Sequence, residues 1–151
     1  MIRALAVTVS NRASAGVYAD RSGPVLVERL RAAGCEVDGP VVIPDGATVQ
    51  TALRDAVTAG YDVVVTTGGT GLTPGDETPE MTRMVIDREI PGISEAIRAA
   101  GVAAGVADRT LIVNLPGSTG GVRDGMSVLG ELIEHAVDQI RGGDHPRPGT
   151  G

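Results

Sequence analysis

The stretch from Asp62 to Glu80 constrains the fold more than any other part of this 151-residue chain. Val63, Val64 and Val65 are consecutive, apolar and β-branched, the pattern of a parallel strand covered on both faces. Gly68, Gly69 and Gly71 follow at once. Glycine there lets the backbone adopt φ > 0 and lets a ligand approach the amide N–H groups. An acidic loop, Gly75-Asp76-Glu77, comes next. Thr78-Pro79-Glu80 then reads as a helix start, with Thr78 as N-cap and Pro79 at the first helical position. A strand, a glycine turn, carboxylates and a helix start in succession suit an anion site in an α/β sheet.

The remaining chain repeats this alternation. Arg3–Val9 predicts a central strand, and a polar loop runs from Ser10 to Gly23. Pro24 opens a helix to about Ala33, and Glu36–Ile43 predicts a strand nearer an edge. Thr48 caps a helix to about Ala59. Beyond the acidic loop come a short helix from about Pro79 to Asp87 and another from about Ser94 to Ala104. Thr110–Leu115 is a further buried strand, and it ends in Pro116-Gly117-Ser118-Thr119-Gly120-Gly121. A last helix runs from about Val122 to Ile140, with Val122, Met126, Leu129, Ile133 and Val137 on one face. The expected form is a three-layer α/β sandwich over residues 1–140 with a mainly parallel, Rossmann-like sheet. Residues 141–151 are rich in Gly and Pro and predict a disordered tail. Ligands of such sheets bind beyond the carboxyl ends of the strands, where the four polar loops belong.

Composition narrows the chemistry. The formal net charge is −6, which opposes a nucleic-acid-binding face. All 13 basic residues are Arg, so neither a lysine phosphate clamp nor a Schiff base is possible. Phosphate must be held by amides, hydroxyls, Arg or a metal. Cys35 is the only cysteine, which excludes a disulfide framework. No apolar run reaches membrane-spanning length, the first ten residues lack a signal-peptide plan, and a cytoplasmic setting is expected. His135 and His145 have no Ser or Cys at a suggestive spacing, so a nucleophilic triad is unsupported.

Each candidate residue has a plain alternative. The glycine turn is neither a Walker loop nor the dinucleotide fingerprint, because Gly-Lys is absent and Gly69, Gly71 and Gly75 are wrongly spaced. It is either an anion site or a tight structural turn. Asp45 and Asp76 would serve Mg²⁺ ligation, or else ordinary turn chemistry. Arg12 would fork onto a phosphate, or else pair on the surface. Asn114, Pro116, Gly117 and Ser118 offer amides and a hydroxyl, or else a strand-to-helix turn.

Four blocks together resemble the MogA/MoaB family of molybdenum-cofactor biosynthesis proteins. They are Val9-Ser-Asn-Arg12 with Asp20-Arg-Ser-Gly23; Pro44-Asp45; Thr66-Thr-Gly-Gly-Thr-Gly71 with Asp76-Glu-Thr-Pro-Glu80; and Asn114-Leu-Pro-Gly-Ser118. The resemblance implies a molybdopterin adenylyltransferase, usually trimeric, in which the terminal phosphate of molybdopterin attacks the α-phosphate of Mg-ATP. It implies catalytic and Mg²⁺-binding roles for Asp45 and Asp76. Thr67, Gly68, Gly69, Thr70, Gly71, Thr78, Asn114, Pro116, Gly117 and Ser118 would hold the nucleotide. Ser10, Arg12, Ser22 and Gly23 would face the pterin or its phosphate. The product would pass to a molybdate-insertion partner.

Three positions depart from the family pattern. Gly75 stands where many members carry Arg, and Thr119-Gly120-Gly121 where many carry Lys. A Ser-Arg pair is missing from the segment 99–105. A non-catalytic molybdopterin-binding module is therefore the alternative, and a nucleotide pyrophosphatase ranks third.

Overall fold

The computed structural model describes residues 1–97 and 103–142. β1 (Ile2–Val9), β2 (Cys35–Ile43), β3 (Val63–Thr67) and β6 (Thr110–Leu115) are mutually parallel in the order β2-β1-β3-β6. β3 and β6 are buried along their whole length, as expected of parallel strands covered on both faces. Two short strands, β5 (Ala104–Ala107) and β4 (Arg88–Glu89), extend the sheet antiparallel, giving six strands in all.

Helices cover both faces. α2 (Ser22–Ala32), α5 (Pro91–Ile97) and α6 (Thr119–Ile140) lie on one side, over a core of Leu26, Leu30, Val63, Val65, Leu111, Leu129 and Ile133. α3 (Ala47–Thr58) and α4 (Thr78–Arg83) lie on the other, over Val7, Val49, Leu53, Val64 and Ile112. The alternation of a strand sends Val63 and Val65 to the first side and Val64 to the second. The three-layer, mainly parallel architecture is thus the expected one. Among the described residues, no helix is long and apolar enough to cross a membrane.

Several local expectations change. The segment expected to be helical from about Ser94 to Ala104 is helical over Pro91–Ile97, its residues 98–102 lie outside the described residues, and Ala104 begins β5. Ala104-Gly105-Val106-Ala107 is short and weakly patterned, so pairing with β6 through a tight turn decides its state. Asp108 makes that turn at φ 51. Gly105 is needed because a side chain there would lie 2.6 Å from the Arg88 carbonyl on β4. Thr48 does not cap α3, whose N-cap is Gly46. Thr78 lies within the first turn of α4, after Glu77 as N-cap. The loop after β1 contains a single-turn helix, α1 (Asn11–Ser14).

β2 is an edge strand with a bulge. Leu5 pairs with Asp38 and Val7 with Val41, so Gly39 and Pro40 together oppose Ala6. Gly39 has φ +104, and a side chain on it would meet the Ala6 carbonyl at 2.5 Å. α6 ends at Ile140, and residues 143–151 of the segment expected to form a tail lie outside the described residues.

Candidate functional site

β1 and β3 are neighbours whose following connections diverge. β1 leads by α2 to β2 on one side of it, and β3 lies on the other side. The carboxyl ends at this divergence open a cleft, the place where doubly wound sheets take ligands. The cleft has a volume of about 500 Å³. Of the residues expected from sequence, Ser10, Arg12, Ser22, Asp45, Thr67, Gly68, Gly69, Asp76, Gly117 and Ser118 line it.

The floor is made of backbones that meet closely. Gly68 (φ +100) donates its amide to the Leu115 carbonyl at 3.0 Å, and a side chain on it would strike the Val9 carbonyl. A side chain on Gly117 would meet the Gly68 Cα at 3.1 Å. Thr67 donates its hydroxyl to the Pro116 carbonyl at 2.7 Å. The ends of β1, β3 and β6 are therefore drawn together, and Gly69 (φ +69) carries the chain onward. Ser118 N-caps α6 by accepting the Gly121 amide at 2.9 Å. The positive end of a 22-residue helix thus borders the cleft.

The two expected aspartates stand against one glycine loop. The space a side chain would take on Gly69 is filled by the Asp45 carboxylate and the Thr78 hydroxyl. The space beside Gly71 is filled by the Asp76 carboxylate, 2.7 Å from where a Cβ would be. Their engagements differ. Asp45 accepts the Gly46 amide at 2.7 Å, the Glu77 amide at 2.9 Å and the Thr78 hydroxyl at 3.1 Å. Its own amide donates to the Asn11 side-chain carbonyl at 2.9 Å. Among the described residues Asp76 accepts only local donors, the amide and hydroxyl of Thr73, and both reach the same oxygen, Oδ2. No group of three or more His, Cys, Asp or Glu that could hold a metal occurs among the described residues. Two carboxylates with idle lone pairs, beside amides that suit phosphate, match Mg²⁺, which keeps water and substrate phosphate in its shell. They do not match an all-protein metal cage.

The cleft carries both signs of charge. Arg12 and Arg21, both on the connection after β1, line it, and neither has a side-chain hydrogen bond or ion pair among the described residues. Asp20 lies on the same wall, but both its oxygens are engaged: it accepts the Thr8 hydroxyl at 2.9 Å and the Gly23 amide at 3.0 Å. Asp45 and Asp76 line the same cleft.

Some expected residues sit elsewhere. Gly23 is buried, and its missing side chain leaves room for Asp20 and Thr8. Thr78 and Asn114 are fully buried. Thr78 turns to Asp45, and Asn114 to Thr66 and Thr82. Thr70, Gly71 and Pro116 flank the cleft without lining it. Residues outside the expected binding set also line it: Thr8, Asn11, Tyr18 and Arg21, and with them Gly75, noted from the sequence as a departure from the family pattern. Tyr18 shares a hydrogen bond of 3.1 Å with Ser10. The adjoining motif residues Asn11 and Arg21 were the signal for these.

Fold and cleft together define an α/β domain with a polar cleft at the carboxyl ends of its central strands, lined by glycine backbone, two aspartates and two arginines. Residues 5–135 match the family described as "Probable molybdopterin binding domain". The chain belongs to that family, and solved MogA and MoaB proteins are among its structural neighbours. It is 32% identical to the molybdopterin adenylyltransferase of Pyrococcus furiosus, covering 89% of each chain. It is 33% identical to the molybdenum cofactor biosynthesis bifunctional protein of Chlorobaculum tepidum over 95% of its own length, but spans only 50% of that protein. Among solved structures, the molybdopterin biosynthesis Mog protein of Mycobacterium ulcerans superposes with a TM-score of 0.88 at 45% identity, covering 93% of this chain and 99% of that one.

Proposed function

We propose that this chain is a molybdopterin adenylyltransferase. An oxygen of the terminal phosphate of molybdopterin attacks the α-phosphorus of ATP, a new P–O bond forms, the α–β bridge bond breaks, and pyrophosphate leaves. The names of the relatives support the reading. The observation that carries it is the placement of the Asp45 and Asp76 carboxylates against Gly69 and Gly71 of one loop, in a cleft that Arg12 and Arg21, unpaired among the described residues, also line.

The nucleophile is already an anion, so no strong base is needed. The difficulty is bringing one phosphate onto another in line. Gly68 and Gly69 offer backbone approach for the nucleotide phosphates, and the α6 N-terminus and Ser118 continue that wall. Arg12 and Arg21, which line the same cleft, would hold the pterin phosphate and leave its attacking oxygen free. Asp76, with Oδ1 unengaged, and Asp45 would hold Mg²⁺; when bound, the ion supplies neutralisation of phosphate charge. Adenylylated molybdopterin would go to a molybdate-insertion protein, the chain would act as a homotrimer, and the setting would be cytoplasmic.

The test is incubation of the purified chain with molybdopterin, ATP and Mg²⁺. Pyrophosphate and adenylylated molybdopterin are expected in equal amounts. A non-catalytic holding module is the second reading, favoured by Gly75, which contributes no cation to the cleft it lines. Pterin binding by calorimetry with no ATP affinity and no pyrophosphate would establish it instead.

A further inference from the structure

At the carboxyl ends of β3 and β6, the face toward α3 and α4 changes from hydrocarbon to polar. Val64 and Ile112 are register partners on that face, and two residues on, Thr66 and Asn114 are partners in the same way. All four are completely buried. Asn114 Nδ2 donates to Thr66 Oγ1 at 2.9 Å and to Thr82 Oγ1 at 3.0 Å, and Thr82, on α4, is also completely buried. Asn114 Oδ1 has no partner among the described residues. Turning the amide over would let both hydroxyls donate to Oδ1 but would leave the NH₂ end without an acceptor. A buried idle polar end costs on the order of 1–3 kcal/mol. Leucine would fill similar space without that cost, so packing alone does not account for Asn114.

What the amide does hold is α4. A helix of six residues has little stability of its own. Yet α4 and the residue before it organise the acidic side of the cleft, since the Glu77 amide and Thr78 hydroxyl both bond to Asp45. Asp76 immediately precedes them. We infer that Asn114 is a positioning residue: through Thr82 it locks α4 against β3 and β6, and so fixes where Asp45 and Asp76 stand relative to the glycine loop. Its catalytic consequence rests on the adenylyltransferase reading, whereas its structural content does not.

The experiment uses the full chain with Thr82→Val, Asn114→Leu and the double variant, and Ile133→Val in the opposite core as a control. Amide hydrogen exchange is followed by mass spectrometry, and adenylylation is titrated with Mg²⁺. In Thr82→Val, exchange over residues 76–83 should quicken about tenfold or more while β1, β3 and β6 keep their protection. The Mg²⁺ concentration for half-maximal rate should rise about tenfold, as for residues that orient metal ligands. Relative to Asn114→Leu alone, the double variant should regain stability, because the Thr82 hydroxyl that Asn114→Leu strands is removed with it and only that of Thr66 stays unpartnered, but it should not regain the Mg²⁺ response. Ile133→Val should lower stability and change neither local exchange nor the Mg²⁺ response. Unchanged exchange over 76–83 in a folded Thr82→Val chain overturns the inference, as does the same quickening in Ile133→Val. If Asn114→Leu does not fold, Thr82→Val decides. If the wild type adenylylates nothing, the functional reading fails and the exchange data alone decide this one.

Discussion

The Asp45 carboxylate accepts the backbone amide of Glu77 at 2.9 Å, joining two loops that lie 32 residues apart in the chain. The same carboxylate takes the Thr78 hydroxyl, so the loop after β2 and the start of α4 form one unit over Gly69. Asp76, by contrast, bonds only within its own turn.

That asymmetry separates two alanine substitutions. Asp45→Ala should lower both activity and stability, the latter by about 1–2 kcal/mol, because amide and hydroxyl donors lose a charged acceptor. Asp76→Ala should lower activity about a hundredfold or more while costing less than about 1 kcal/mol. Thermal melts beside single-turnover adenylylation give both quantities. Equal stability losses for the two would contradict the assignment of Asp45 as the clip.

Two glycines of the same loop should respond in opposite ways. Gly69→Ala places a methyl group onto Asp45 and Thr78 at a φ of +69, and should destabilise by about 1–3 kcal/mol and abolish turnover. Gly75 has open space where a side chain would go. Gly75→Arg should fold normally and lower the KM for ATP about threefold, the scale of one exposed charge pair. An unchanged KM would show that this position does not face the nucleotide.

Arg12 and Arg21 have no competing partner among the described residues, so their substitution should act on the ligand and not on the fold. Arg12→Ala and Arg21→Ala should each raise the KM for molybdopterin about tenfold, the loss of one charge-assisted contact, with melting temperature unchanged. Steady-state kinetics at saturating ATP measure this. A rise in the KM for ATP alone would place the pterin elsewhere in the cleft.

Stability should fall at alkaline pH. Burial, helped by the nearby Asp62 charge, raises the Cys35 thiol above its ordinary value of 9.0. The folded chain therefore keeps a proton that the unfolded chain releases, and this contribution is lost as pH climbs from about 9.0 through the folded value. The Tyr61 phenol is raised in the same sense, chiefly by its bond to Asp38 at 2.6 Å. Urea midpoints between pH 8 and 10 should slope downward, and Cys35→Ala should flatten part of that slope.

The part of the site visible in the sequence was the part made by backbone. Val63–Val65 announces a covered strand, and Gly68 and Gly69 do adopt the positive φ their place suggested. Side-chain direction at strand ends was less visible. Asn114 stands next to last in a buried strand, beside a glycine turn that made it resemble a ligand of that turn, but the two-residue period turns it to α4 with Ile112. Gly105 looks like a helix weakener until the Arg88 carbonyl is seen against it. That contact depends on β4, whose two residues carry no periodic signal. Asn11 and Thr8 entered the site through partners distant in sequence, Asp45 and Asp20, which local pattern cannot pair.

The bulge on β2 bears on how copies of this chain can meet. Pro40 has no N–H to offer, and Gly39 cannot be exchanged for a residue that would straighten the strand without striking Ala6. A free rim with a missing donor and a local kink is a poor template for a seventh strand. The bulge and Pro40 thus disfavour growth of the sheet into an intermolecular ribbon at that margin.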